Sequence, residues 1–259
     1  NVAPALPIFP FGRSDWEFLY DRGDHDHNQK TFLGETGDWN GEDIVDIIVK
    51  QPSTARFISR HLYNFFVADE PPVPRWSVEA ARDPAAVELL AGALIDSGFE
   101  MRPVLHALFN SDFFKEARFA KIKGPVEVVS AVLRLVGDFR EPKPGLVEIA
   151  RHAMFMGQEL LSPPTVEGWH MGAEWINSGS LIDRINFASG LLGNTELPGV
   201  RSMVDRLMAS GESVSPEQLV DGCLDLVGPL HVAGETRNEL VAQASKNGEL
   251  RHSNASERD

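Results

Sequence analysis

Asn40–Val67 reads NGEDIVDIIVKQPSTARFISRHLYNFFV, and its periodicity decides the fold class. Asn40 is a helix cap with an acid, Asp43, three residues on, the pattern of a capping box. Ile44, Ile47 and Ile48 then fall on one face. Pro52 suits the first turn of a second helix, where its missing N–H is no loss. That helix carries Ala55, Ile58, Leu62, Phe65 and Phe66 on its apolar side. Three prolines between Asp69 and Trp76 close it.

The same grammar continues toward the C-terminus. Pro84 opens a helix bearing Val87, Leu90, Ala91, Leu94 and Ile95, stopped at Gly98. Pro103–Asn110 buries Val104, Leu105, Leu108 and Phe109, and Ser111 caps a short turn with Phe113 and Phe114. Pro125–Val136 follows, with Val129, Leu133 and Val136 on one face and Gly137 as its stop. Leu146–Leu161 spaces Leu146, Ile149, Ala150, Ala153, Met156, Leu160 and Leu161 for burial. Ser178 caps a helix running to Leu192 through Leu181, Ile182, Ile185 and Ala188. Weaker patterns mark Pro198–Met208, Pro216–Val227 and Glu235–Asn247, and the last ten residues, LRHSNASERD, are polar and expected to fray. Toward the N-terminus, residues 1–14 are a proline-rich arm. WEFLY (Trp16–Tyr20) and KTFLG (Lys30–Gly34) flank the polar DRGDHDHNQ as strand, loop, strand. No strand–helix alternation and no fixed repeat occurs. The expectation is an all-α, irregular multi-helix bundle with a small β-hairpin near the N-terminus. Its main domain spans 1–194 and a C-terminal helical extension packed on it spans 195–259.

Composition limits the function. The 259 residues hold 24 basic and 38 acidic side chains, a net charge of -14, with no long basic run to neutralise phosphates. Nucleic acid and anionic membrane are therefore excluded as expected partners. No run of about 18 apolar residues, the length needed to span a bilayer, is present. The single Cys223 rules out an intrachain disulfide, and its setting, VDGCLDLV, reads as a buried, inert thiol. The chain opens NVAPALPIFP without methionine, which fits a processed product or a fragment.

Several clusters are candidates for chemistry. Asp24, His25, Asp26 and His27 are the densest set of metal-ligand side chains, and imidazole with carboxylate suits a first-row divalent cation. A solvated polar turn is the plainer reading, because neighbours in an extended loop diverge. Trp39, bracketed by Gly37 and Gly41, either staples the first helix or faces a groove. Arg56 and Arg60 share a stripe with Asn64 and either hold an anion or pair with acids. Arg134 and Arg184 interrupt apolar runs, as buried ion pairs would. Glu148 and His152 stand at i,i+4, yet no nucleophile accompanies them and no G-x-S-x-G, Walker or dinucleotide motif exists. LSPPTVEGWHMGAEWINS (Leu161–Ser178) sets Glu167, Trp169, His170 and Trp175 in a proline-opened loop. Its tryptophans either plug gaps between helices or form a carbohydrate or peptide platform.

Three stretches in order carry a family resemblance: HDHNQKTFLGETGDWNGEDIVDIIVKQPSTARFISRHLYNFFV, KIKGPVEVVSAVLRLVG and GQELLSPPTVEGWHMGAEWINSGSLIDRINFASGLL. Together they resemble the bacterial DUF1800 proteins, whose function is unknown, over about Trp16–Leu192. The chain resembles the C-terminal portion of that family's domain. The resemblance implies a periplasmic or secreted location, with a cytoplasmic one also compatible with composition. It further implies a protein partner from the sulfatase-like DUF1501 family, and it transfers no catalytic residue. The sequence thus leads to an extracytoplasmic binding or assembly module acting with a partner. The alternatives are a metal-assisted hydrolase of a glycan or ester, and a structural fragment of a larger protein.

Overall fold

The computed structural model describes residues 18–251 apart from Arg140, Pro142, Lys143, Ser210, Glu212, Pro229 and Asn247. The proline-rich arm, Trp16, and the tail 252–259 lie outside the described residues. Contacts divide the chain into two units, Asn1–Ala120 and Lys121–Asp259. The protein is all-α with a small hairpin: eleven helices and two two-stranded sheets among the described residues.

In the first unit, β1 (Lys30–Phe32) pairs antiparallel with β2 (Glu35–Gly37), Lys30 opposite Gly37. The sequence reading placed the first strand at Trp16–Tyr20, but Phe18–Tyr20 is not a strand. The hairpin instead closes over two residues, Leu33 (φ 48°) and Gly34 (φ 90°). Two successive positive φ values give the tight turn whose twist matches its strands. Helix α1 (Gly41–Val49) starts at the expected capping box: Asn40 Oδ1 accepts from the Asp43 amide, and Asp43 Oδ2 accepts from the Asn40 amide. Of its isoleucines only Ile47 is buried.

Helices α2 (Pro52–Phe66) and α3 (Pro84–Asp96) form the main packing of this unit, with α4 (Met101–Asn110) against α3 and the short α5 (Asp112–Glu116) beside α4. Leu90, Leu94 and Leu108 are essentially sealed from water, each contributing about 1.5–3 kcal/mol by the transfer of its side chain. The buried stripe of α2 is rotated from the expected one. Ala55, Ser59, Arg60, Tyr63 and Asn64 are buried, while Phe65 is 64% exposed. Small residues at 55 and 59 let α3 approach closely; Arg60 and Asn64 enter the stripe because each finds a partner, whereas the Ser59 hydroxyl is buried with none among the described residues. Arg60 is the clearest case. It donates to Glu70 at 2.7 Å and to the carbonyls of Glu79 and Ala80, and its guanidinium lies over the Trp76 ring. Glu70 Oε1 accepts from the Arg82 amide. One ion pair thereby pins the proline-rich connection between α2 and α3.

The second unit is built on α6 (Pro125–Val136), which packs against α7 (Leu146–Phe155), α8 (Ser178–Leu192) and α9 (Pro198–Met208). Gly137 ends α6 in the left-handed conformation, as its position predicted. Helix α9 crosses α6 at Gly199, where any Cβ would overlap the Leu135 carbonyl and the Val136 backbone. Helix α7 stops short of the expected Leu161. Gly157 turns to φ 102°, leaving Leu160 and Leu161 exposed. Helix α8 buries Ser180 and Phe187, whereas Leu181, Ile182 and Ile185 of the expected face are exposed. Strand β3 (Ser213–Val214) pairs with β4 (Leu250–Arg251), so the first two residues of the stretch expected to fray form a strand. Helices α10 (Pro216–Val227) and α11 (Gly234–Ser245) pack on each other and carry Cys223, which is exposed, not buried. No helix among the described residues is long and apolar enough to cross a membrane.

Candidate metal centre

The loop before β1 folds on itself through short-range caps. Asp21 Oδ1 accepts from the Gly23 amide, and Asp26 Oδ1 from both the amide and the side chain of Asn28. Those bonds from Asn28 hold the Asp26 carboxyl below the usual range. The folding back turns the rings of His25 and His27 toward each other, with centroids 4.8 Å apart. The hairpin register then returns the chain so that Asp38, the residue after β2, stands beside them.

The result is a triangle of donors. His25 Nδ1 and His27 Nδ1 are 3.3 Å apart. Asp38 Oδ2 lies 3.2 Å from His27 Nδ1, and Asp38 Oδ1 lies 3.8 Å from His25 Nδ1. The far nitrogens fix the tautomers: His25 Nε2 sits 3.2 Å from the Trp39 carbonyl and His27 Nε2 3.2 Å from that of Arg22. A carbonyl only accepts, so each Nε2 carries its hydrogen and each neutral ring turns a bare Nδ1 lone pair inward. Two lone pairs and a carboxylate at these distances repel unless a cation stands between them, either a proton on one ring or a metal ion. A tetrahedral ion with bonds of about 2.0–2.1 Å separates its ligand atoms by about 3.3–3.4 Å; the two Nδ1 atoms and the His27–Asp38 Oδ2 pair match this, while the nearest Asp38 oxygen to His25, Oδ1, is wider at 3.8 Å. Carbonyl groups that orient the outer imidazole nitrogens are also how protein metal sites are braced.

Asp38 is held in place from the other side. Lys30 Nζ is 3.4 Å from Asp38 Oδ1 and donates to the carbonyls of Asp26 and Asn28. When a proton occupies His27 Nδ1, that ring donates to Asp38, and this bond, reinforced by Lys30, keeps the Asp38 carboxyl below its ordinary range. Trp39 folds its ring back over β2. Its Nε1 is 3.4 Å from the Glu35 carbonyl, and a Cβ at Gly37 would lie 2.7 Å from the indole. That packing positions the Trp39 carbonyl for His25. The His25 side chain is 14% exposed, whereas His27 and Asp38 are 52% and 47% exposed, so the triangle has one inner and one open edge.

The four residues expected from sequence are thus divided. His25 and His27 converge; Asp26 is turned to Asn28; Asp24 is absent from the converging set. Asp38 was missed because it lies eleven residues from His27, and only the hairpin brings it there. Its one sequence signal was a carboxylate directly after a strand whose partner strand follows a His-rich loop.

The remaining candidates lie elsewhere. Arg56 pairs with Glu88 at 2.6 Å, and Arg60 is committed to Glu70. In the second unit, Trp175 is buried and its carbonyl accepts from Ser180 Oγ, while Trp169 is half-buried with its Nε1 sealed from water and without a partner among the described residues. His170 and Glu174 pair at 3.5 Å on the exposed side of that loop, and Glu167 is exposed. Glu148 pairs with Arg151, and the His152 ring packs against Phe187. The expectation of buried ion pairs for Arg134 and Arg184 is overturned. Arg134 is exposed, and Arg184 donates only to the Lys123 carbonyl, leaving Nε and Nη2 buried without partners among the described residues. No acid among the described residues pairs with it, and burial lowers its basicity.

A family model described as "Protein of unknown function (DUF1800)" matches residues 10–257, beyond both ends of the Trp16–Leu192 stretch on which the resemblance was recognised. No curated protein and no solved structure matches the chain.

Proposed function

The chain belongs to the DUF1800 family of proteins of unknown function, and on that premise we propose that it is a metal-centred binding module. His25, His27 and Asp38 hold one divalent cation, and the helical units serve as its scaffold. The observation that carries this reading is the 3.3 Å separation of the two Nδ1 atoms, with both outer nitrogens committed to carbonyls. The donor set of two imidazoles and a carboxylate favours a borderline ion such as Zn²⁺ over Mg²⁺ or Ca²⁺, which prefer all-oxygen shells. The test is metal analysis of protein purified under metal-replete conditions. One equivalent of ion is expected, lost in both His25→Ala and His27→Ala. Metal-free protein, or metal retained in those variants, removes the proposal.

A metal-assisted hydrolase would use the same residues, with an ion-bound water as nucleophile. Binding is preferred because two of the three ligands are half exposed on a surface loop, whereas substrate sites are concave and confining. Ester or glycoside turnover lost in Asp38→Asn would reverse that preference. An extracytoplasmic location and a partner of the DUF1501 family belong to the proposal on the strength of family resemblance alone. Cell fractionation and co-purification of the native protein test them.

A further inference from the structure

We infer that the ion held by His25, His27 and Asp38 takes the place of a hydrophobic core for Tyr20–Asn40, so that metal occupancy switches this segment between a folded clasp and an open chain. The inference rests on the metal-centre reading above and gives that site a regulatory role. Burial carries the first half of it. Between Phe18 and Lys50 only Ile47 is buried, and it lies within α1. Phe18, Leu19, Tyr20 and Leu33 are each more than half exposed, and Phe32 and Trp39 are only partly covered. The hairpin of β1 and β2 joins three residue pairs, and a two-stranded hairpin by itself is marginal in water. Ordering this much backbone costs conformational entropy that apolar burial normally offsets, and here that burial is missing.

The bonds that do order the segment converge on the ligands. His25 Nε2 donates to the Trp39 carbonyl, His27 Nε2 to that of Arg22, and Asp38 meets both rings. Lys30 joins the carbonyls of Asp26 and Asn28 to the Asp38 carboxyl. An ion bonded to His27 and Asp38 ties residues eleven apart, which shrinks the conformations open to the chain between them. Its effect continues into the helix. Asp38, Trp39 and Asn40 are consecutive: a ligand, a carbonyl that orients a ligand, and the cap of α1. The helices that follow are held otherwise. Ala55, Tyr63, Leu90, Leu94, Val104 and Leu108 belong to their shared core, which includes no described residue before Ala55. The clasp therefore opens without unfolding that core, as a local cooperative unit.

Amide hydrogen exchange of the full chain, stripped of metal and then reloaded with one equivalent of Zn²⁺, tests this. On reloading, exchange in Tyr20–Asn40 should slow by about tenfold or more, while that in Leu90–Leu108 stays unchanged. The slowing should vanish in His27→Ala. Zn²⁺ bound at one equivalent with unchanged exchange in Tyr20–Asn40 overturns the inference and leaves the metal centre intact. Equal slowing through Leu90–Leu108 also overturns it, because the ion would then stabilise the whole unit. Failure to bind Zn²⁺, or slowing that survives His27→Ala, overturns the metal centre and this inference together.

Discussion

His25 and His27 meet Nδ1 to Nδ1 at 3.3 Å, each ring held by a backbone carbonyl at its far nitrogen. With the hydrogen of each neutral ring on Nε2 the contact is unfavourable, and a cation between the two Nδ1 atoms makes it favourable. The carbonyls come from Trp39 and Arg22, one after the hairpin and one before it, so the geometry depends on the loop and hairpin folding together. Binding free energy at such a centre is also free energy of ordering the segment.

Asp38 should matter to metal affinity more than any acid of the Asp24–His27 run. Asp38→Asn is expected to weaken binding by more than about 100-fold, the upper end of what outer-shell changes cost. Asp26→Asn, which loosens only the Asn28 turn, should cost about tenfold or less on the same scale. Isothermal titration with Zn²⁺ compares them. Equal losses would mean that the ligand set is misassigned.

Leu33→Asn should stabilise the hairpin. Leu33 holds φ 48° with an exposed side chain, a conformation that branched or bulky residues adopt at a cost and that Asn tolerates. Asn-Gly is the favoured pair for this turn. A gain of about 0.5–1 kcal/mol is expected, read as slower amide exchange in Lys30–Gly37. Faster exchange would contradict the turn assignment.

Glu70→Gln should strongly destabilise the first unit. It leaves the Arg60 guanidinium buried without its countercharge, which costs about 3–5 kcal/mol for a buried pair. Chemical denaturation gives the value. A loss no larger than that of an exposed pair such as Arg56–Glu88 would show that water reaches Arg60.

Gly199→Ala should destabilise the second unit, because the added methyl enters the backbone of α6. Overpacking of this kind costs about 1–3 kcal/mol. Gly234→Ala, where a Cβ meets nothing within 4 Å, is the control and should be close to neutral. The two are compared by thermal unfolding.

Cys223 should alkylate slowly despite its exposure. Partial burial raises its thiol above the usual value, so less thiolate is present at neutral pH than in a free cysteine. The rate with iodoacetamide should lie below that of a cysteine peptide at pH 7.5 and climb as pH rises toward the raised value. A rate above the peptide's at neutral pH would indicate an activated thiolate.

Much of the helical framework was legible because its signals are local. Asn40 with Asp43, Pro52, Pro84, Pro125, Gly137, Pro198 and Pro216 all mark helix ends where expected, since a cap or a missing N–H acts within one turn. The errors cluster where a distant element chose the face. Phe65 and Ile185 were expected inside on periodicity, but Ser59 and Ser180 are inside instead, because close helix approach favours small residues over large ones. Glu35–Gly37 pairs with β1 where a strand ending at Tyr20 was expected, because a two-residue turn closes with less entropy loss than a long loop.

What the sequence alone determined, then, is the helical class, the starts of most helices and the presence of a His-rich turn beside a hairpin. Only the tertiary structure decided which side chains meet. Asp38 joins His25 and His27 through strand register, and Arg60 joins Glu70 through the fold of a proline-rich connection. Caps and periodicity are properties of a few adjacent residues. The convergence of donor atoms to within bonding distance depends on the summed path of all the chain between them, and no local pattern encodes that.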